Sequence, residues 1–156
     1  MRWSVVAIGQ RMPAWVGLGW AEYARRFPRG VRLELREIPA IKRARNAEID
    51  VIRKREGGAL LAAIPASDRV VALHVDGRQC ATAELAERMR EWLQTGRDLS
   101  FLVGGPEGLA TACLERAEWR WSLGRLTFPH PLVRVILAEQ LYRAWTITHN
   151  HPYHRQ

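Results

Sequence analysis

Two stretches of this chain, Arg69–Val75 (RVVALHV) and Leu99–Val103 (LSFLV), run apolar without alternation. A strand with no polar side must be covered on both faces, which ties it to the interior of a parallel sheet between helical layers. The rest of the sequence supplies that setting. Trp3–Ile8 is another short run of β-formers, and Trp119–Leu123 reads as a last strand. Val31, Leu33 and Leu35 alternate with charged residues, the period of two of a half-exposed strand. Pro13 opens a helical pattern through Trp15, Leu18, Glu22 and Tyr23, ending near Phe27-Pro28. Asn46 is placed to cap a second helix through Ile49, Ile52, Leu60 and Leu61, which Gly57-Gly58 should kink. Asp76-Gly77 should end its strand, and Thr82 should cap a helix reaching Gln94, with Glu84 in the first turn. Pro131 starts the longest helix, through Leu137, Leu141 and Trp145, whose apolar surface is wider than one sheet face requires. That helix is either deeply buried or packed on a second copy. With no repeat, linker or low-complexity segment, residues 1–156 read as a single α/β domain with a mostly parallel sheet flanked by helices.

Four features carry possible chemistry. Gly104-Gly105-Pro106-Glu107-Gly108 follows a buried strand, at the end where open α/β sheets bind ligands. It is either a loop whose backbone approaches a ligand or an ordinary strand-to-helix connector, and it is neither a dinucleotide fingerprint nor a Walker loop. Trp121 to Pro131 holds His130 between two prolines just before the long helix. This segment is either a rigid pocket wall or a stiff turn. The tail, residues 149–156, is cationic and aromatic. Its His149, His151 and His154 match no strong zinc spacing, so no metal is expected, and contact with RNA phosphates and a stacked base suits it better. Lys42-Arg43-Ala44-Arg45 is the basic cluster hardest to read as a mere solvated helix face.

Charge points the same way. Lys and Arg number 24 against 16 Asp and Glu, a net +8 that suits a polyanionic partner. Cys80 and Cys113 are too few for a disulfide framework and read as buried thiols in a reducing compartment. No apolar stretch is long enough to span a bilayer, and the short run at the N-terminus is a strand rather than a signal. A protein of the cytoplasm without membrane contact is expected.

Taken in order, these segments resemble the ribosomal large-subunit pseudouridine N3-methyltransferases of the SPOUT superfamily. The resemblance runs from Val6-Ala7-Ile8-Gly9 through Ile38-Pro39 and Lys42-Arg43, Leu73, the 104–108 loop and Ser122-Leu123. It is densest in Leu126-Thr127-Phe128-Pro129-His130, Leu132-Val133-Arg134-Val135 and Glu139-Gln140-Leu141-Tyr142-Arg143-Ala144, and closes on Pro152-Tyr153-His154. The resemblance implies a C-terminal trefoil knot, a homodimer and a pocket for S-adenosylmethionine (SAM). It implies that Leu73, Gly104, Gly105, Leu123, Gly124, Arg125, Leu126, Thr127 and Phe128 line that pocket. The substrate implied is a pseudouridine in the helix 69 loop of 23S rRNA, on the assembled ribosome. This sequence departs from the family pattern at His74, where an aspartate is common, and at Gly124, where a serine is usual. Methylating an imide nitrogen requires its proton to leave, so a base or a cation stabilising the anion is needed. Tyr153, His154, Arg155 and Glu139 are the catalytic candidates, acting across the dimer, with His130 a further possible base. Other readings are a methyltransferase of another RNA, such as tRNA, and a ribosome-binding assembly factor without chemistry.

Overall fold

The computed structural model describes residues 1–155. Five strands, β1 (Arg2–Ile8), β2 (Arg32–Ile38), β3 (Arg69–Arg78), β4 (Leu99–Val103) and β5 (Trp119–Trp121), form one sheet in the order β2-β1-β4-β3-β5. Every pairing is parallel. Five helices connect and follow them: α1 (Ala14–Ala24), α2 (Ile49–Ala62), α3 (Thr82–Thr95), α4 (Thr111–Arg116) and α5 (His130–Thr148). A 3-10 turn, Pro152–Arg155, lies beyond. Residue 156, the end of the tail, is outside the described residues.

The apolar runs are buried on both faces, as their composition requires. Trp3, Val5, Ala7, Leu99 and Phe101 face a core shared with α1, α3 and α5, where Trp20, Leu85, Met89, Leu137 and Leu141 meet them. Val6, Ile8, Val70, Ala72 and Leu102 face a second core, closed by Leu60 of α2 and Cys113 of α4. Helix α5 packs against both α1 and α3. Its inner stripe is used within the chain, where Leu137 and Leu141 are fully buried, while Leu132, Val135, Ile136 and Trp145 stay half-buried. The exposed apolar side chains on this side belong to α1, where Trp15 and Leu18 are 52% and 72% exposed.

Several boundaries differ from the sequence expectation. Strand β3 continues through Asp76-Gly77 to Arg78, which pairs with Trp121 across an irregularity after Leu73. Gly77 permits this because a Cβ there would sit 2.7 Å from the backbone of Trp121. Strand β5 stops at Trp121 instead of Leu123. Glu48, not Asn46, precedes α2. That helix runs through Gly57-Gly58 unbroken, and a Cβ on Gly57 would lie 2.5 Å from the Ala110 Cβ, so the glycine lets α2 approach the start of α4. Thr82 is the first residue of α3 rather than its cap; the Glu84 carboxylate instead accepts the Ala81 N–H at 2.7 Å. Helix α5 begins one residue early, at His130. Cys113 is buried, whereas Cys80 is only half-buried.

One contact fixes α5 on the sheet. Arg134 is fully buried, and its Nη2 donates to the carbonyls of Ile8 (2.9 Å) and Gly9 (2.8 Å) while Nη1 donates to Glu37. A helix residue thus ties together the carboxyl ends of β1 and β2, with Gly9 at φ +103° making the turn that exposes its carbonyl. Arg134→Leu leaves Glu37 and two carbonyls without their donor. Removing one partner of such a buried group costs roughly 3–5 kcal/mol. Because Glu37 is one-third exposed, the expected loss in urea unfolding is nearer about 3 kcal/mol.

Candidate active site

The carboxyl ends of β3, β4 and β5 open into a cleft of about 550 Å³, within the range of small-molecule pockets. Its floor is backbone. The Gly104–Gly108 loop folds on itself through the Gly108 N–H donating to the Gly105 carbonyl at 2.9 Å. A Cβ on Gly104 would lie 2.6 Å from the Gly108 carbonyl carbon, so only glycine lets the chain close here. Leu73, Val103, Leu114, Leu126, Phe128 and Val133 make apolar walls, and Thr111, Thr127, His130 and Arg53 add polar groups.

Of the residues expected at a cofactor pocket, Leu73, Gly104, Gly105, Leu123, Gly124, Leu126, Thr127 and Phe128 all line this cleft. Arg125 does not; it is exposed beside it. Gly124 adopts φ +142°, a conformation that suits glycine better than the family's usual serine. His74 lines the cleft as well, and its Nδ1 accepts the Asp76 N–H at 3.2 Å.

Beneath the glycine loop lies a polar network that the sequence reading missed. Glu56 of α2 is 2% exposed; its Oε1 accepts the Ile41 N–H at 3.1 Å and lies 3.7 Å from Arg43. Arg43 in turn bonds Glu107 at 3.1 Å, and the Arg53 Nε donates to the Glu107 carbonyl at 3.0 Å. The loop that floors the cleft is thus held by α2 and by the basic segment before it. Position was the available signal, since Ile52, Glu56 and Leu60 repeat every fourth residue and put Glu56 on the buried stripe.

His130 stands at the start of α5, with Nδ1 buried and unpaired. Burial, and next the nearby Arg134 and Arg43 guanidiniums, push its pKa below the ordinary imidazole range, against a weaker opposing pull from Glu56. The neutral ring is the one the fold accommodates. In the unfolded chain the imidazole titrates near about 6.5. As pH falls below that value the unfolded state takes up a proton that the folded state resists, so stability is lost toward acid. His130→Asn should flatten this acid-side fall in melting temperature, measured from neutral pH downward.

The tail forms a separate cluster around Glu139. The Tyr153 hydroxyl donates to Glu139 Oε1 at 3.0 Å, the Arg143 Nε donates to the same oxygen at 2.8 Å, and the Gln140 amide donates to Oε2 at 2.7 Å. Tyr153 also packs on Tyr142, ring centroids 4.9 Å apart, with Arg143 and Arg26 over its face. Burial first, then the Glu139 hydrogen bond, raises the Tyr153 pKa to about 12, so it remains a phenol that donates. His154 has a buried, unpaired Nδ1, and Arg155 is exposed. None of Glu139, Tyr153, His154 and Arg155 lines the cleft of its own chain. Val133, which does, precedes Glu139 by about 9 Å of helix. The described residues contain no group of three or more His, Cys, Asp or Glu able to hold a metal, and no helix long and apolar enough to cross a membrane.

Comparison with known proteins adds to this geometry. A family model described as a predicted SPOUT methyltransferase matches residues 1–154. The ribosomal RNA large subunit methyltransferase H of Thioalkalivibrio sulfidiphilus is 56% identical over 156 residues, covering all of both chains. The protein of the same name from Methylococcus capsulatus is 56% identical over 155 residues, 99% of this chain and 100% of that one. Among solved structures, a probable methylase family protein from Haemophilus influenzae Rd KW20 superposes with a TM-score of 0.54. At 13% identity, covering 97% of this chain and 68% of that one, it speaks to the fold alone.

Proposed function

The chain belongs to the SPOUT methyltransferases, and from that membership we propose that it transfers a methyl group from SAM to N3 of a pseudouridine in the helix 69 loop of 23S rRNA, on the assembled ribosome. The observation that carries the reading is the backbone-floored, apolar-walled cleft at the carboxyl ends of β3–β5, lined by eight of the nine residues that the resemblance assigns to the cofactor. The fit is chemical as well as spatial. A bare glycine backbone and apolar walls suit a flat heterocycle and a thioether-like chain, and Thr127 and the loop amides offer polar contacts, with Arg53 and Glu107 the charged side chains in the lining.

When bound, the cofactor supplies an electrophilic methyl on a sulfonium. The protein's own work is to hold the acceptor nitrogen in line, keep water out and manage one proton. The cleft residues bind and orient. Glu139, engaged by three donors, positions Tyr153 more than it offers a free base. His154 and Arg155 are then the groups to accept the imide proton or stabilise the anion it leaves. Because they lie off their own cleft, they act on the partner's cleft in a homodimer, for which Trp15 and Leu18 of α1 supply exposed apolar surface. The reading carries with it the family's knotted C-terminal backbone and a cytoplasmic setting.

Labelled methyl incorporation tests it. Ribosomes should accept methyl from SAM, bulk tRNA should not, and ribosomes lacking pseudouridine should be poor substrates. Equal transfer to free tRNA would move the activity to another RNA, and SAM binding without transfer would favour an assembly factor.

A further inference from the structure

The charges of this fold are sorted between the two ends of its sheet. At the amino ends of the strands, arginines face acids. Arg2 lies 3.2 Å from Asp68 and 3.3 Å from Asp98, Arg69 is 2.8 Å from Glu118, and Arg97 is 3.2 Å from the same carboxylate. Arg25 and Arg26 share Glu22. Among the described residues at this end, Arg29 and Arg116 have no acidic side-chain partner, and Arg116 donates instead to the carbonyls of Ala66 and Asp68.

At the carboxyl ends, around the mouth of the cleft, the pattern reverses. Arg11 after β1, Lys42 and Arg45 after β2, and Arg125 after β5 are all exposed. None makes an ion pair or a side-chain hydrogen bond among the described residues. Lys54 and Arg55 extend the exposed set along α2. Of the acids at this end, Glu107 is held by Arg43, Glu37 by Arg134 and Asp50 by Arg53, which leaves exposed Glu48 and Asp76 against six unpaired cations. Through Arg43 and Glu107 the rim is also continuous with the loop that floors the cleft.

Unpaired cations held together repel one another, and such an arrangement suits a partner carrying regularly spaced negative charge. We propose that the rim formed by Arg11, Lys42, Arg45 and Arg125 is the track on which the RNA phosphate backbone lies while the target base enters the cleft. This rests on the rRNA methyltransferase reading above. It assigns exposed Arg125 to the RNA rather than to the cofactor. These contacts fix register and add affinity without reading sequence.

The test compares wild type with the triple variant Arg11→Ala, Lys42→Ala, Arg45→Ala, using Arg29→Ala, which removes a single charge, as a control at the opposite end of the sheet. All the altered side chains are exposed, and melting curves check that the folds are intact. Binding to ribosomes is measured against salt concentration, alongside SAM affinity and methyl transfer. Each lost phosphate contact should reduce the slope of log K against log salt by about 1, so the triple variant should lose about 3. Its KM for ribosomes should rise while kcat and SAM affinity hold. Arg29→Ala should change none of these. A normal wild type with an unmoved slope and KM in the triple variant would overturn the track alone. So would an equal per-charge effect from Arg29→Ala, or weakened binding with the wild-type slope, which would mean that the lost contacts are not to phosphates. A wild type that neither binds nor methylates ribosomes would overturn the function together with the track.

Discussion

Replacing Gly104 by valine should weaken SAM binding by about 100-fold or more, equivalent to about 2.8 kcal/mol, while leaving a folded protein. The expectation follows from what surrounds the missing side chain. A Cβ at this position would meet the Gly108 carbonyl carbon at 2.6 Å, its oxygen at 2.8 Å and the Leu109 nitrogen at 3.0 Å. All three are backbone, so no flexible side chain can move aside and the loop itself must open. Because the floor of the cleft is this loop, the pocket loses its shape before the core loses its packing. Gly105 is a different case. Its Cβ would point at Ile8 (3.0 Å) and at the buried Glu56 carboxylate (3.2 Å), neither of which lines the cleft. A valine there pushes the loop off α2 rather than filling the ligand's space. Calorimetry with SAM, paired with melting curves, separates the effects. Wild-type affinity in folded Gly104→Val would place the cofactor elsewhere.

Deleting residues 151–156 should leave SAM affinity within about twofold and cut methyl transfer by at least about 100-fold, the scale of a lost acid–base or anion-stabilising group. The deletion is not silent for stability. It removes the Tyr153 ring from Tyr142 and its hydroxyl from Glu139, contacts worth together about 1–2 kcal/mol. A melting temperature lower by a few degrees is therefore expected. Tyr153→Phe keeps the packing and removes the hydrogen bond, so a fall in transfer without a fall in melting temperature would assign the loss to positioning. Full activity in the truncated chain would remove the tail from the mechanism.

The layers of the fold were legible because hydrophobic period is a local signal. The unbroken apolar runs at 70–75 and 99–103 announced strands covered on both sides, and the glycine loop after Val103 marked the ligand end of the sheet. What failed was punctuation. Gly77 was read as a stop, yet it is the residue that lets β3 run on beside Trp121. The Gly57-Gly58 pair was read as a kink, yet Gly57 serves a helix crossing. In both cases a distant backbone or side chain decides, and local sequence does not carry it. Arg134 and Glu56 were passed over for the same reason. Each is a charge inside an apolar stripe, and its partners, Ile8 and Gly9 for one and Ile41 and Arg43 for the other, lie in different elements. Both readings of the long helix stay open, because α1 and α3 bury Leu137 and Leu141 while Leu132, Val135, Ile136 and Trp145 are only half-buried.

Strand-end position pointed to the Gly104–Gly108 loop, and the family resemblance supplied the other cleft residues. The tail's relation to the cleft could not be named in advance, since the two are separated within one chain. The most direct measurement of the proposed activity is mass analysis of 23S rRNA fragments after ribosomes from cells lacking the enzyme are incubated with this protein and SAM. The account predicts one added methyl group on the helix 69 fragment, carried by a pseudouridine and absent when the protein or the cofactor is omitted. Methylation confined to other fragments, or none on ribosomes despite tight SAM binding, would contradict it.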